Sequence, residues 1–182
     1  MKAPILKGKK VVLKPLKISQ AEIFLRWFSD SEINKFLGRD FGSLNLKKEK
    51  EFINKSNKSK NGLRWAIYAK DGRHIGSTGL HSIDRKNSNA VWGIVIGEKS
   101  CWGQGLGTDA LKTVLKYVFN KLKLNRVELA VFPFNKRGFR CYKKCGFKVE
   151  GMKRQAVYKN GKFIDEIIMG ITKSDYKKLN IK

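Results

Sequence analysis

The sequence predicts a mixed α/β (α+β) fold, a central, twisted, mostly antiparallel sheet flanked by helices, and three observations lead there. Three strand-like runs follow one another between Trp65 and Ile96, too closely spaced for helical crossovers, so they read as an antiparallel meander. Two amphipathic helical patterns then bracket one more strand, the alternation expected of helices packed on a sheet. A last pair of strands turns at Lys159-Asn160-Gly161-Lys162, whose Asn-Gly step is a hairpin signal. With 182 residues, 41% hydrophobic and 11% aromatic, the chain supports one core rather than two, so residues 1–182 are expected to form a single domain.

The elements can be justified in order. Val11, Val12, Leu13 and Leu16 make a first strand that ends near Pro15. Ser19-Gln20-Ala21-Glu22 has the spacing of a capping box, and Ala21, Phe24, Leu25 and Phe28 then share a helical face. The lysine-rich stretch from Lys47 to Gly62 is expected to hold a second helix and a loop. Trp65 to Ala69 and His74 to Ile83 pair across Lys70-Asp71-Gly72-Arg73, and Ala90 to Ile96 is the next strand. Thr108 to Leu122 is a helix with Leu111, Val114, Leu115, Val118 and Leu122 on its apolar face. Arg126 to Phe132 alternates as a strand does, and Asn135 to Cys145 is a helix that Gly146 ends. Ala156 to Tyr158 and Phe163 to Ile171 form the closing hairpin.

Composition narrows the function classes without choosing one. No apolar stretch approaches the roughly 20 residues that cross a bilayer, and Met1 to Lys10 lacks the pattern of a secretory signal. A soluble, cytoplasmic protein with no membrane partner is expected. The three cysteines Cys101, Cys141 and Cys145 are too few for a disulfide framework. Cys141 and Cys145 share a helical face but no second ligand pair follows, so no metal is expected. The 40 Lys plus Arg against 15 Asp plus Glu leave a net charge of +25, which attracts polyanions: nucleic acid, ribosomes or a phosphorylated cofactor. These cations are spread along the chain, as on a solvated surface.

Chemistry enters at Trp102-Gly103-Gln104-Gly105-Leu106-Gly107-Thr108, between the strand that ends at Ile96 and the following helix. Glycines let the backbone approach a ligand closely, and the first amides of a helix have no intrachain acceptor, so an anion is the natural guest. The Gly-Lys-Ser/Thr of a Walker loop is absent, whereas Gly105, Gly107 and Ala110 fit a loose dinucleotide fingerprint. An antiparallel meander is the wrong setting for a dinucleotide fold. Taken by itself, the loop is equally readable as a turn that serves geometry.

Ile94-Val95-Ile96-Gly97-Glu98-Lys99 followed by Trp102 to Ala110 resembles the cofactor motif of the GNAT superfamily of N-acetyltransferases, with Trp102 in place of its first Gln/Arg. Asn135-Lys136-Arg137-Gly138-Phe139-Arg140-Cys141-Tyr142-Lys143-Lys144-Cys145-Gly146-Phe147 is similar to a second segment of that family. The branch resembled is that of ribosomal-protein N-terminal and of diamine or spermidine acetyltransferases, and the likeness runs from Leu13 through the closing hairpin. It implies splayed strands holding acetyl-CoA. The amides of Trp102, Gly103, Gln104, Gly105, Leu106, Gly107 and Thr108 would hold the pyrophosphate, with Ile94, Val95 and Ile96 beside the pantetheine arm. Asn135 would hydrogen-bond that arm and also cap its helix. Tyr142 would stand near the thioester sulfur as proton donor, a role open to a phenol.

The implied reaction is attack by a primary amine on the thioester. Freeing a lysine-like amine of its proton at pH 7 costs roughly 4 to 5 kcal/mol, against roughly 1.4 for an α-amine. Relatives often carry Glu where this sequence has Val91, which takes no proton. Glu98, Asp84, His81 and Asp165 are candidate bases with no assigned role, and His74 beside its turn is a weaker one. The acceptor is then a protein or peptide N-terminus or a small amine. Polyamines and a non-catalytic RNA- or ribosome-binding role are the alternatives, and oligomeric state, a homodimer included, stays open.

Overall fold

The computed structural model describes residues 2–38 and 43–179. A short hairpin, β1 (Leu6–Lys7) and β2 (Val11–Pro15), leads through a 3₁₀ turn (Ile18–Gln20) into α1 (Ala21–Ser29), α2 (Ser31–Asn34) and α3 (Leu46–Asn57). The meander follows as β3 (Leu63–Ala69), β4 (His74–Asp84) and β5 (Asn89–Ile96). Next come α4 (Leu106–Tyr117) with a π-helical turn (Val118–Leu122), β6 (Arg126–Val131) and α5 (Lys136–Lys144). The hairpin β7 (Lys148–Lys159) and β8 (Lys162–Thr172) and a short α6 (Lys173–Lys178) end the chain.

The strands form one sheet in the order β1-β2-β3-β4-β5-β6-β8-β7. Of the pairings described, only β5 with β6 is parallel, because α4 carries the chain back along the sheet between them. That pairing joins only Asn89–Val91 to Arg126–Glu128, although β5 continues to Ile96 and β6 to Val131. Beyond Val91 the two strands part, and the middle of the sheet opens.

Strand alternation sends side chains into two cores, one on each face. Trp65 and Ile67 pack with Leu111, Val114, Leu115 and Val118 of the α4 segment, while Ala66 meets Phe24, Trp27 and Ile53 of α1 and α3. The four α4-segment side chains are fully buried, and each such burial contributes roughly 1.5–3 kcal/mol. Leu122, expected on the same stripe, is partly buried at its edge.

Besides adding β1, α2 and α6, the structure departs from the expected elements in three places. Ser19 does not cap α1: the local cap lies one turn earlier, where Gln20 Oε1 accepts the Lys17 N–H at 2.8 Å, and Gln20 Nε2 adds a tertiary bond to the Tyr68 hydroxyl at 2.8 Å. The long helix begins at Leu106 rather than Thr108, with Gly105 as its N-cap. β7 reaches back to Lys148, eight residues before Ala156. Its side chains are mostly exposed and bulges interrupt its register at Val149/Gly151 and Lys153/Val157, so no inside-outside pattern marks it.

One carboxylate fixes the start of α4 to the far edge of the sheet. Asp109 accepts the N–H groups of Lys9 at 3.2 Å, Lys10 at 2.7 Å and Val11 at 3.0 Å. Lys10 adds its own bond, Nζ to the Gln104 carbonyl at 3.0 Å. Asp109→Ala leaves three amides without this acceptor and is expected to lower stability by about 2 kcal/mol, read from denaturant midpoints, with Asp109→Asn losing less. An unchanged midpoint in the alanine variant would show that water replaces the carboxylate without cost.

Candidate active site

A cleft of about 740 Å³ fills the gap where β5 and β6 diverge. Its walls are the unpaired edge of β5, the glycine loop with the start of α4, the end of β6 and one side of α5. Gly103 at φ 80° and Gly105 at φ 78° adopt the left-handed conformation, which costs other residues roughly 1–2 kcal/mol. The first backbone bond of α4 runs from Asp109 N to Gly105 O at 3.0 Å. Among the described residues, the six preceding amides, Gly103 to Thr108, have no acceptor. Free amides and the positive end of the helix dipole, equivalent to roughly half a charge, make this a site for an anion.

Eleven of the twelve residues expected at the site line the cleft: Ile94, Val95, Ile96, Trp102, Gly103, Gly105, Leu106, Gly107, Thr108, Asn135 and Tyr142. Gln104 is the exception, because its Nε2 donates to the Ser100 carbonyl at 2.7 Å and its own carbonyl takes Lys10. Trp102 Nε1 donates to the Ile96 carbonyl at 2.8 Å and so ties the loop to the end of β5. Asn135 caps α5 as expected, its Oδ1 accepting the Gly138 N–H at 2.9 Å. Only its Nδ2 is left for a ligand.

Tyr142 stands on α5 with its ring edge-on to Trp92 at 5.7 Å and tilted against Phe147 at 6.3 Å. Burial, reinforced by the neighbouring thiols of Cys141 and Cys145, pushes its phenol well above the usual tyrosine range. The hydroxyl therefore carries its proton at neutral pH. Cys141 lies against Thr108, Sγ to Oγ1 at 3.3 Å, and the Cys145 thiol donates to the Thr108 carbonyl at 3.8 Å. The pair thus joins α5 to α4.

Several cleft residues escaped the sequence reading. Arg137 lays its guanidinium 3.7 Å over the Trp102 ring and 5.4 Å from that of Phe36, and burial lowers its pKa. Arg140 and Lys144 line the same wall. The spacing 137, 140 or 141, 144 marks one helical face and was the signal available for these cations. Phe36, Phe132 and Phe134 form an aromatic group nearby, with centroids 5.2 and 6.2 Å apart. Their convergence from two distant segments left no local trace.

Most of the candidate bases are occupied elsewhere. Glu98 accepts from Arg26 at 2.7 Å and Trp27 Nε1 at 3.0 Å. Asp84 holds Asn87 through its N–H and its side chain at 2.9 and 2.6 Å, and Asp165 takes the Gln155 N–H at 2.7 Å. His74 Nε2 lies 3.0 Å from the Gly76 carbonyl, its ring packed among Phe24, Trp27 and Tyr68. None of these four lines the cleft, whereas His81 does, directly across from Val91.

Residues 10–148 match the acetyltransferase (GNAT) domain family. The chain is 29% identical over 177 residues to the uncharacterized N-acetyltransferase YoaA of Bacillus subtilis, covering 93% of this chain and 97% of that one. It is 32% identical over 106 residues to the spermidine N(1)-acetyltransferase of Escherichia coli K12, covering 58% and 56% of the two chains. The fold matches that of the Vibrio cholerae spermidine N-acetyltransferase in complex with CoA and spermine, with a TM-score of 0.86 at 22% identity over 93% of this chain and 99% of that one. With three quarters of its length matched to the family and its sheet open at the same parallel pair that the glycine loop follows, this chain belongs to the GNAT family and is an acetyl-CoA-dependent N-acetyltransferase.

Proposed function

We propose that acetyl-CoA lies in the gap between β5 and β6 and that the acceptor is an α-amine, at a protein or peptide N-terminus or on a small molecule. The observation that carries this reading is the run of six unbonded amides from Gly103 to Thr108 at the mouth of the gap. They fit a diphosphate, and Lys10, held at the Gln104 carbonyl, adds a cation at the same loop. Arg137 on Trp102 fits the phosphorylated end as well, because guanidinium pairs with phosphate in a bidentate manner.

Bound there, acetyl-CoA supplies a thioester, whose carbonyl carbon is the electrophile and whose sulfur is the leaving group. The chain's own contribution is placement and charge. Ile94, Val95 and Ile96 belong to the β5 edge that β6 leaves unpaired, so their backbone can run along the pantetheine arm as an added strand would. A β5 amide at the carbonyl oxygen stabilises the negative charge that collects on it, an effect of roughly 2.7–4 kcal/mol when such a donor is removed. The Asn135 Nδ2 donates to the arm. Tyr142 donates its proton to the departing sulfur, and the dry surroundings that raise the phenol's pKa raise that of a thiol beside it in the same sense.

The acceptor class follows from charge. Among the described residues lining the cleft, Glu166 is the one carboxylate, against Arg64, Arg137, Arg140 and Lys144. With a net charge of +25 behind it, such a site repels a polycation. The polyamine reading is favoured instead by the spermidine-acetylating relative, and Glu166 would be its ammonium partner. Thiol release with N-terminal peptides and with spermidine as parallel acceptors separates the two. Association with ribosomes through the basic surface, or a homodimer, is compatible with either acceptor.

Gly105→Val forces a β-branched side chain into φ 78° and is expected to weaken CoA binding at least tenfold in calorimetry on folded protein. Unchanged affinity would remove the loop from the site. Tyr142→Phe keeps the packing and loses the donor, so the single-turnover rate should fall by about 10² to 10⁴ at nearly constant CoA affinity. A wild-type rate would leave the sulfur to be protonated by water.

A further inference from the structure

We propose that His81 is a catalytic residue that takes the proton from the acceptor nitrogen, an inference that rests on acetyl transfer occurring in the same cleft. Four features of its surroundings aim it there. β4 loses register with β5 between His81 and Asp84, and Ser82 takes φ 51°, a left-handed conformation that a non-glycine residue adopts only when its surroundings impose it. Such bulges redirect the side chain beside them. His81 pairs with Val91, the last β5 residue joined to β6, so it stands where the sheet opens. Gly93 faces the ring: a Cβ at that position would come within 3.1 Å of His81 Cε1, so a side chain there would press on the imidazole.

The fourth feature is an unpaired nitrogen. His81 Nδ1 is buried with no hydrogen-bond partner among the described residues, a state that folded proteins generally avoid. His74 shows the alternative in this same strand, with its ring nitrogen on the Gly76 carbonyl. With Nδ1 enclosed, the ring turns Cε1 and Nε2 toward Gly93 in the wall of the cleft, in a sheet whose neighbouring position Val91 offers no carboxylate.

The electrostatics define which proton His81 can take. Burial, with the positive charge of Arg64 adding to it, lowers the imidazole pKa to about 4, so at neutral pH the ring is uncharged and carries a lone pair. Such a base cannot strip an α-ammonium of pKa near 8, a transfer unfavourable by roughly 10⁴-fold. The amine must therefore arrive neutral, and the transfer to His81 accompanies bond formation. The amine lone pair bonds to the thioester carbonyl carbon, the C–S bond breaks and its electron pair leaves on sulfur. One N–H proton of the amine, made acidic as the nitrogen commits its lone pair, passes to the imidazole. The Tyr142 proton goes to sulfur, and solvent then returns a proton to the phenolate and removes one from the imidazolium. Because roughly 10% of an α-amine but only about 0.04% of a lysine-like amine is neutral at pH 7, this arrangement selects α-amines.

The test uses CoA and a CoA adduct in which the sulfur bears an acetyl spacer ending on the nitrogen of glycinamide, placing an acceptor N–H at the reaction point. Calorimetry of both probes with wild type and His81→Ala is expected to give CoA affinities within twofold of each other and an adduct affinity at least tenfold weaker in the variant. In wild type, the imidazole ¹⁵N resonances of His81 should shift with the adduct and not with CoA, a measurement that holds even if the variant fails to fold. Equal adduct affinity in both proteins, or His81 resonances unmoved by the adduct, overturns the role. Failure of CoA itself to bind wild type would instead strike the cofactor placement, and this inference with it.

Discussion

Parallel pairing between β5 and β6 stops after three residues, and much of what makes this chain an enzyme depends on that early stop. A β-strand edge inside a protein carries N–H and C=O groups that must find partners. Among the described residues β6 pairs with β5 no further than Val91, and the adjoining loop leaves six more amides without acceptors. The gap is a preorganised set of unsatisfied backbone groups around a channel, and a ligand that offers acceptors along its length completes the sheet. A backbone site of this kind tolerates many side chains, which is why Trp102 can stand at the first position of the loop motif and tie it to the Ile96 carbonyl instead.

Such a site works only if its walls do not close. Two ties hold the loop away from β6: Asp109, anchored on the β1–β2 turn, and Lys10 on the Gln104 carbonyl. On the other wall, Thr108 bonds to Cys141 and Cys145, which couples α5, and with it Tyr142, to the first turn of α4. Lys159 spans another part of the cleft's surroundings, its ammonium bonding the Asn34 and Leu37 carbonyls at 2.7 and 2.6 Å and so joining the last hairpin to the segment that carries Phe36.

Charge in the cleft is gathered largely on one element: Arg137, Arg140 and Lys144 all come from α5, and exposed cations speed the approach of an anion. The cleft lining also holds a histidine whose pKa burial lowers and a phenol whose pKa burial raises, so both are uncharged at neutral pH. Groups that are uncharged before reaction and can exchange protons during it suit a reaction between two neutral partners, a thioester and a free amine.

The sequence by itself determined what depends on near neighbours. The α4 stripe of Leu111, Val114, Leu115 and Val118, the Asn135 cap, the Asp-Gly and Asn-Gly turns and the glycine loop all rest on interactions within about four residues, and each stands in the structure as read. Tertiary structure decided the rest. Gln20 also reaches the distant Tyr68, and Glu98 and Asp165, chemically eligible as bases, were claimed by hydrogen bonds to residues far from them in the chain, whereas Asp84 is held locally by Asn87. β7 has no alternation to read, because neither of its faces is well buried. His81 was one of several candidate bases in the sequence, and what sets it apart, a place in the cleft wall across from Val91, comes from how far two strands run together rather than from any residue's own preference.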